Sequence, residues 1–113
     1  MLYLTNAFSL NMLPQAPNVN VEVTSISLKQ AIDYTFTALY ADLFIGAIGH
    51  DNTAQLVNEQ LGIQVKHSRC SINLHGQDIL LVAQYQGPRL PEGAVSLPEG
   101  ASIKYKLVQF IIL

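Results

Sequence analysis

The stretch LFIGAIGHDNTAQLVNEQLG, residues 43–62, decides the fold, because an apolar run ends there at a glycine and a helical pattern begins at once. Its first six residues are typical of a buried strand. Asp51 or Asn52 can accept hydrogen bonds from the free N–H groups of a helix that runs to Leu61, and the glycine that follows suits a helix end. His50 is therefore predicted at a strand-to-helix corner, where the positive end of a helix dipole faces solvent.

Outward from this corner, the chain shows further strand and helix patterns. The valines of residues 19–23 alternate with polar residues, which is typical of a half-buried strand. Ser27 can cap a short helix that we expect to end near Asp33. We predict one α/β domain over residues 1–113, with a mixed sheet of about five or six strands flanked by a few helices. The other predicted elements are strands at residues 2–5, 35–40, 43–48, 65–74, 79–85 and 103–113, a helical turn at 10–13, a hairpin turn at 75–78 and a loop at 86–102.

The composition is poor in charge. Only 12% of the 113 residues are charged and 50% are hydrophobic, and this charged fraction is about half of that in an average soluble protein. Because this small number of charges covers the surface of a monomer poorly, we expect a homodimer with a buried interface. The net charge of −2 excludes the broad basic surface of non-specific nucleic-acid binders. We therefore expect no long nucleic acid as a partner.

The charges are also unevenly distributed along the chain. Residues 1–56 carry one lysine against four acidic residues, whereas residues 57–113 carry five lysines and arginines against four acidic residues. An anion site is therefore expected to draw on the second half.

Cysteine usage and the apolar runs indicate the compartment. The single cysteine, Cys70, makes no intramolecular disulfide, and a zinc-binding Cys-x-x-Cys pair is missing. Lying between polar neighbours on a predicted strand, Cys70 is expected to be a packed, inert thiol. The first residues lack the basic region of a signal peptide, and the apolar runs are too short to span a membrane. We expect a cytoplasmic protein with no membrane partner.

The histidines indicate acid–base chemistry rather than metal chemistry. Familiar nucleotide-binding and hydrolase motifs are absent, and the three histidines lack metal-ligand spacing, so we predict neither a metal nor a cofactor. What remains is proton transfer on a substrate that brings its own nucleophile, as RNA does with its 2′-hydroxyl. His50 is the best placed acid, although a lone histidine at a corner more often caps it or satisfies a carbonyl. His67 and His75 are assigned to solvent or to the fold.

Candidate phosphate and ribose contacts lie on either side of this histidine. Arg69 and Arg89 are the only arginines, and each is about as easily explained as an exposed surface charge. Glu92 follows Arg89 in a proline-rich loop, where a carboxylate can orient a histidine or receive a proton, although Pro-Glu-Gly is also ordinary turn chemistry. Polar residues after the first strand suit base or ribose contacts, or cap their own loop: Asn6, Ser9 and Asn11.

Two motifs, LTNAFSLNML at residues 4–13 and AIGHDNT at residues 47–53, resemble those of the viral type III anti-CRISPR ring nucleases and their cellular relatives. The resemblance covers nearly the whole chain in order and length. In that family a small α/β homodimer binds cyclic tetra-adenylate across its interface. Without a metal, the family cleaves this ring to linear di-adenylate with a 2′,3′-cyclic phosphate, which switches off type III CRISPR signalling.

The resemblance implies a role for each candidate residue. It makes His50 the general acid for the departing 5′-oxygen, with Glu92 assisting it. It implies that Arg69 holds a phosphate and that Arg89 contacts the ring or the partner subunit's site. Asn52 stands where a serine is common in the family, and the loop over residues 87–100 is longer and richer in proline. The remaining implied ligand contacts are Asn6, Ser9, Asn11, Gly49 and Asp51.

Two other functions are compatible with the same residues. A non-cleaving sponge or sensor would bind cyclic oligoadenylate and return it intact. A structural or host-interaction protein would use the polar corner only to cap its helix.

Overall fold

The structure of the chain is a computed structural model, and it describes residues 1–66, 68–91, 93 and 96–113. A five-stranded mixed sheet packs against two helices, which confirms the predicted α/β class and strand number. The strands are β1 (Leu2–Thr5), β2 (Val19–Ile26), β3 (Phe44–Gly46), β4 (Ile79–Gln86) and β5 (Ser102–Ile112), and the helices are α1 (Leu28–Tyr40) and α2 (Asp51–Leu61).

The sheet order β2-β5-β4-β1-β3 brings four strand ends together. β1 runs parallel to β3 and β4, and β5 runs antiparallel to β4 and β2. The carboxyl ends of β1, β2, β3 and β4 therefore meet at one edge of the sheet, here called the carboxyl edge. Ligands of open α/β sheets bind outside such an edge.

Alternation along β4 gives the sheet a core on each face. Leu81 and Ala83 lie in the core beneath the helices, whereas Leu80 and Val82 belong to a second core on the opposite face. All four are buried, as expected for a central strand whose successive side chains point to opposite faces. Loops and the short helical turn Leu10–Met12, rather than α1 or α2, cover the second core with these side chains: Phe8, Met12, Leu13, Ile72 and Leu74.

Helix α1 corrects the prediction of a strand at residues 35–40. A capping box between Ser27 and Gln30 starts the helix as predicted, but the helix continues to Tyr40 instead of ending near Asp33. Thr35 is buried and donates its hydroxyl to the Ala31 carbonyl at 2.8 Å, so a β-branched residue is satisfied within the helix. The packing of this face onto the sheet outweighs the local strand preference of the β-branched and aromatic residues.

Residues 65–74 were predicted as a strand, and the structure shows an irregular segment at residues 65–66 and 68–74 instead. The segment leaves α2 on the helix-bearing face and reaches the opposite face, where Ile72 and Leu74 are buried. The burial of Ile72 and Leu74, two residues apart, comes from packing against the second core rather than from pairing with a strand. The predicted hairpin with β4 is wrong, because β4 pairs with β1 and β5. Cys70 is exposed rather than packed.

The turn predicted at residues 75–78 is present and is held by Asp78. The buried Asp78 carboxylate accepts from the His75 backbone N–H at 3.1 Å, pairs with the His75 ring at 2.8 Å and lies 3.5 Å from the Met1 ammonium. Burial alone would raise the pKa of Asp78, but the hydrogen bonds from His75 and the Met1 and His75 charges outweigh burial and lower it. His75 thus serves the fold, as predicted.

Strand β2 is an edge strand with both faces open. It was predicted to be half-buried, but Val21 and Val23 are 37% and 54% exposed. The reason is its place at the end of the sheet, where neither helix nor loop covers its six central residues in the single chain. The opposite edge strand, β3, has three residues.

Candidate ligand site at the carboxyl edge

Helix α2 begins at the carboxyl edge with a histidine. His50 is its N-cap residue, with an extended backbone (φ −117°, ψ 121°), rather than the predicted Asp51 or Asn52. The reason is that the first helical hydrogen bond runs from the Ala54 N–H to the His50 carbonyl, at 2.9 Å. The exposed His50 side chain makes no capping hydrogen bond. Its imidazole is therefore available to a ligand at the positive end of the helix.

Arg69 lies across the glycine that precedes this histidine. Its Nε donates to the Gly49 carbonyl at 3.0 Å, and a backbone bond from Ser68 N–H to the Ile48 carbonyl, at 2.8 Å, holds the segment in place. A Cβ on Gly49 would come within 2.8 Å of Arg69 Cγ. Gly49 is thus needed for the close approach of Arg69, a contact between residues 20 apart in sequence.

An open pocket of about 730 Å³ brings His50 and Arg89 to one site. The pocket lies between the start of α2 and the chain that leaves β4. Two of its lining residues donate hydrogen bonds to carbonyls of the chain that leaves β4: the Tyr85 hydroxyl donates to the Pro88 carbonyl at 2.6 Å, and the Asn52 side-chain amide donates to the Pro91 carbonyl at 3.1 Å. The lining residues are His50, Asn52, Thr53, Tyr85, Gly87, Arg89, Leu90 and Pro91.

Asn6 follows β1 directly and so lies at the carboxyl edge, but none of the polar residues predicted after β1 lines this pocket. Ser9 caps the short helical turn Leu10–Met12 by accepting from the Asn11 N–H at 3.3 Å, so its hydroxyl serves its own loop. Asn6 is half-buried and Asn11 is exposed. Of the predicted site residues that the structure describes, His50 and Arg89 are the ones that this pocket brings together.

Two predicted or assigned residues lie outside the described ones: Glu92 and His67. The remaining predicted contact, Asp51, is exposed in the first turn of α2, where its carboxylate accepts from the Gln55 amide at 3.4 Å. An acidic residue in the first turn stabilises a helix through its dipole.

The carboxyl edge carries charges of both signs with positive ones in excess, since Asp51 and Glu99 also lie there among the described residues. Besides the two arginines, Lys104 and Lys106 lie where β5 begins, at the carboxyl edge, and the Lys106 ammonium donates to the Ser25 hydroxyl at 2.7 Å. Asp42 and Asp78 precede β3 and β4 and so lie at the opposite edge. Positive charge and a helix N-terminus together favour an anionic ligand at the carboxyl edge.

The described residues contain neither a metal-binding cluster nor a membrane-spanning helix. Across residues 1–66, 68–91, 93 and 96–113, no cluster of three histidine, cysteine or acidic side chains is arranged to hold a metal ion. Neither helix of this described part has the apolar length needed to cross a bilayer.

Comparison with known proteins identifies the family. The model of the STIV B116-like family matches residues 2–107. The chain belongs to this family. Among solved structures, B116 of Sulfolobus turreted icosahedral virus is similar to this STIV B116-like chain, with a TM-score of 0.81 and 30% sequence identity over 95% of this chain and 97% of B116. A search of curated proteins gave no match.

Sequence reasoning missed two residues that shape the pocket of this STIV B116-like protein. Tyr85 was treated only as part of a strand, and Asn52 only as a candidate helix cap and as a departure from a serine. One available signal was the position of Tyr85 at the carboxyl end of a strand, where α/β sheets place ligand contacts. The partner of Asn52, the carbonyl of Pro91, is 39 residues away and gives no local signal.

Proposed function

We propose that the protein is a metal-independent ring nuclease that binds cyclic tetra-adenylate across a homodimer interface and cleaves it to linear di-adenylate with 2′,3′-cyclic phosphate ends. One observation carries this proposal: the His50 side chain lies at the N-terminus of α2 and makes no capping hydrogen bond there. Arg89 lines the same pocket, and Arg69 donates to the carbonyl of the adjacent Gly49. Membership of a family that includes a viral protein, B116, and the motif resemblance support it. The biological role would be to switch off type III CRISPR signalling in the cytoplasm.

The proposed reaction is an internal transesterification. The ribose 2′-hydroxyl releases its proton to water, its oxygen forms a bond to the adjacent phosphorus, and the bond from phosphorus to the 5′-oxygen breaks. His50 donates the proton that the departing 5′-oxygen takes up and regains one from water, and Glu92 assists it. Two such cuts open a ring of four adenylates into two di-adenylates, and neither cut consumes water or requires a metal.

Arg69 and Arg89 would supply the positive charge for the transition state. A guanidinium donates two hydrogen bonds to phosphate oxygens in a matching plane, which makes arginine suited to this task. The free N–H groups at the start of α2 add to the positive electrostatic potential that the phosphate would meet there. Asn6, Ser9, Asn11, Gly49 and Asp51 are proposed as the other substrate contacts around the ring.

Two copies of the chain would grip one ring. A two-fold axis presents each arginine twice, which matches a ring with four phosphates and needs no broad basic surface. The chain also exposes apolar side chains along β2 and the end of β5, at the sheet edge furthest from β3, which form a surface for contact between copies that is separate from the one proposed to bind the ring. Five of these side chains are 37% to 71% exposed: Val21, Val23, Ile111, Ile112 and Leu113. An exposed edge strand of this kind is a usual site of pairing between chains.

The decisive experiment mixes the protein with labelled cyclic tetra-adenylate in EDTA and separates the products. We expect linear di-adenylate with cyclic phosphate ends from the wild type, and intact ring from His50→Ala. Calorimetry with His50→Ala should still detect binding, because the arginines remain. A wild type that binds the ring but returns it intact is a sponge or sensor. A protein that shows no heat with any cyclic oligoadenylate has another function.

A further inference from the structure

We propose that Tyr85 and Asn52 are positioning residues that hold Arg89 beside His50 before a ligand arrives. The inference rests on the ring-nuclease function proposed above, because Arg89 is an anion contact only in that setting. It concerns residues 88–91, here called the clamped segment.

The clamped segment is fastened at both ends. The Tyr85 hydroxyl donates to the Pro88 carbonyl at 2.6 Å, and the Asn52 amide donates to the Pro91 carbonyl at 3.1 Å. Between them, the half-buried Leu90 packs against the core beneath the helices. Three contacts therefore hold four residues, while the Arg89 side chain is exposed in the pocket.

The sequence of the clamped segment suits this fastening. Each proline restricts its own backbone angle φ and lacks an N–H, yet keeps a carbonyl that accepts hydrogen bonds. Few backbone conformations are therefore left for the bonds to select, and ordering the segment costs less entropy. Gly87, with φ of 150°, lets the chain leave β4, because a Cβ there would lie 2.7 Å from Ala101 Cβ and 3.2 Å from the Tyr85 hydroxyl.

Asn52 joins the first turn of α2 to the clamped segment, across 39 residues of sequence. An arginine held in advance loses less conformational freedom on binding, so preorganisation raises affinity for the anion.

The first test measures hydrogen exchange of the Arg89 and Leu90 amides in the protein without nucleotide. Tyr85→Phe and Asn52→Ala should each speed this exchange by roughly 3- to 10-fold, as expected for the loss of one neutral hydrogen bond. Tyr40→Phe, at a residue that is 97% exposed, and Asn73→Ala, also at an exposed residue, are matched controls and should leave exchange unchanged. Unchanged exchange in both clamp variants would overturn the inference.

The second test asks whether the clamp acts through Arg89. Each clamp variant should raise KM for cyclic tetra-adenylate by roughly 3- to 10-fold with little change in kcat, because bound ligand restores the arrangement. The rise should vanish when the variants are made in an Arg89→Ala background. A rise that persists without Arg89 would refute the positioning role. If the wild type leaves the ring uncut, the proposed function fails, whereas the exchange rates still decide the clamp.

Discussion

Replacing Gly49 by alanine should weaken ring binding while leaving the fold intact. A Cβ at this position would lie 2.8 Å from Arg69 Cγ and 3.7 Å from Arg69 Cα, and real Cβ atoms do not tolerate the first distance. The Arg69 stem must therefore move away from α2. Its Nε then loses the Gly49 carbonyl, now 3.0 Å away, and the guanidinium no longer lies at the helix N-terminus.

The cost falls on binding rather than on stability. Gly49 is not among the glycines with positive φ, so alanine suits its backbone and gains about 0.4–1 kcal/mol by restricting the unfolded chain. The lost hydrogen bond costs about 0.5–1.5 kcal/mol, so the free energy of unfolding should change by less than about 1 kcal/mol. A lost charged hydrogen bond to phosphate costs about 1.5–3 kcal/mol, which raises Kd roughly 10- to 100-fold.

Calorimetry with cyclic tetra-adenylate measures the change in Kd, in a His50→Ala background that does not cleave the ring. Denaturant unfolding measures the change in the free energy of unfolding. Gly76→Ala is the matched control, because Gly76 has φ of 59° with nothing within 4 Å of its added Cβ. It should lose about 1 kcal/mol of stability and keep full affinity. A Gly49→Ala protein that binds as tightly as its parent would refute the reasoning.

Three further predictions concern acid stability, association and the free thiol. Because the folded pKa of Asp78 is lowered, its stabilisation is present above the unfolded pKa of about 3.9 and fades as pH falls through the folded value. The stability difference between wild type and Asp78→Asn should therefore shrink below about pH 4 in acid unfolding curves, and a constant difference would contradict this. Val23→Lys, on the open face of β2, should convert a dimer into monomers in light scattering, whereas Lys29→Ala should not. Cys70 is exposed, so it should react with a thiol reagent in the native protein at nearly the rate of the unfolded chain, and protection would restore the packed-thiol prediction.

The elements that local patterns predicted well are those with clear punctuation. Helix α2 was predicted to end at Leu61 before a glycine, and Gly62 has the left-handed conformation with φ of 74°. The short strand β1 and the long strand β5 are also found close to where apolar runs predicted them. In each case the signal is contained in neighbouring residues, so no tertiary information is needed.

The failures lie where distant residues decide the outcome. The run at residues 35–40 becomes helix because Ala31 and Thr35 share a face that the sheet buries, and local propensity does not report that burial. The apolar residues at 65–74 suggested a strand, but Val65 packs against the core beneath the helices, and Ile72 and Leu74 are buried in the second core. His50 and Arg69 were each predicted as site residues from the sequence. The contact between Arg69 and Gly49 was not predicted, because it depends on an irregular segment that the sequence pattern had suggested was a strand.

The unequal lengths of the two edge strands limit how far the sheet can grow. β2 has eight residues with which another strand can pair, whereas β3 has three and can add far fewer hydrogen bonds to a further strand. A chain with a single usable edge can be extended once, since pairing of β2 with the β2 of another copy consumes both. Association by this route stops at two chains instead of propagating into a fibre. Protection against open-ended polymerisation is thus a matter of strand length.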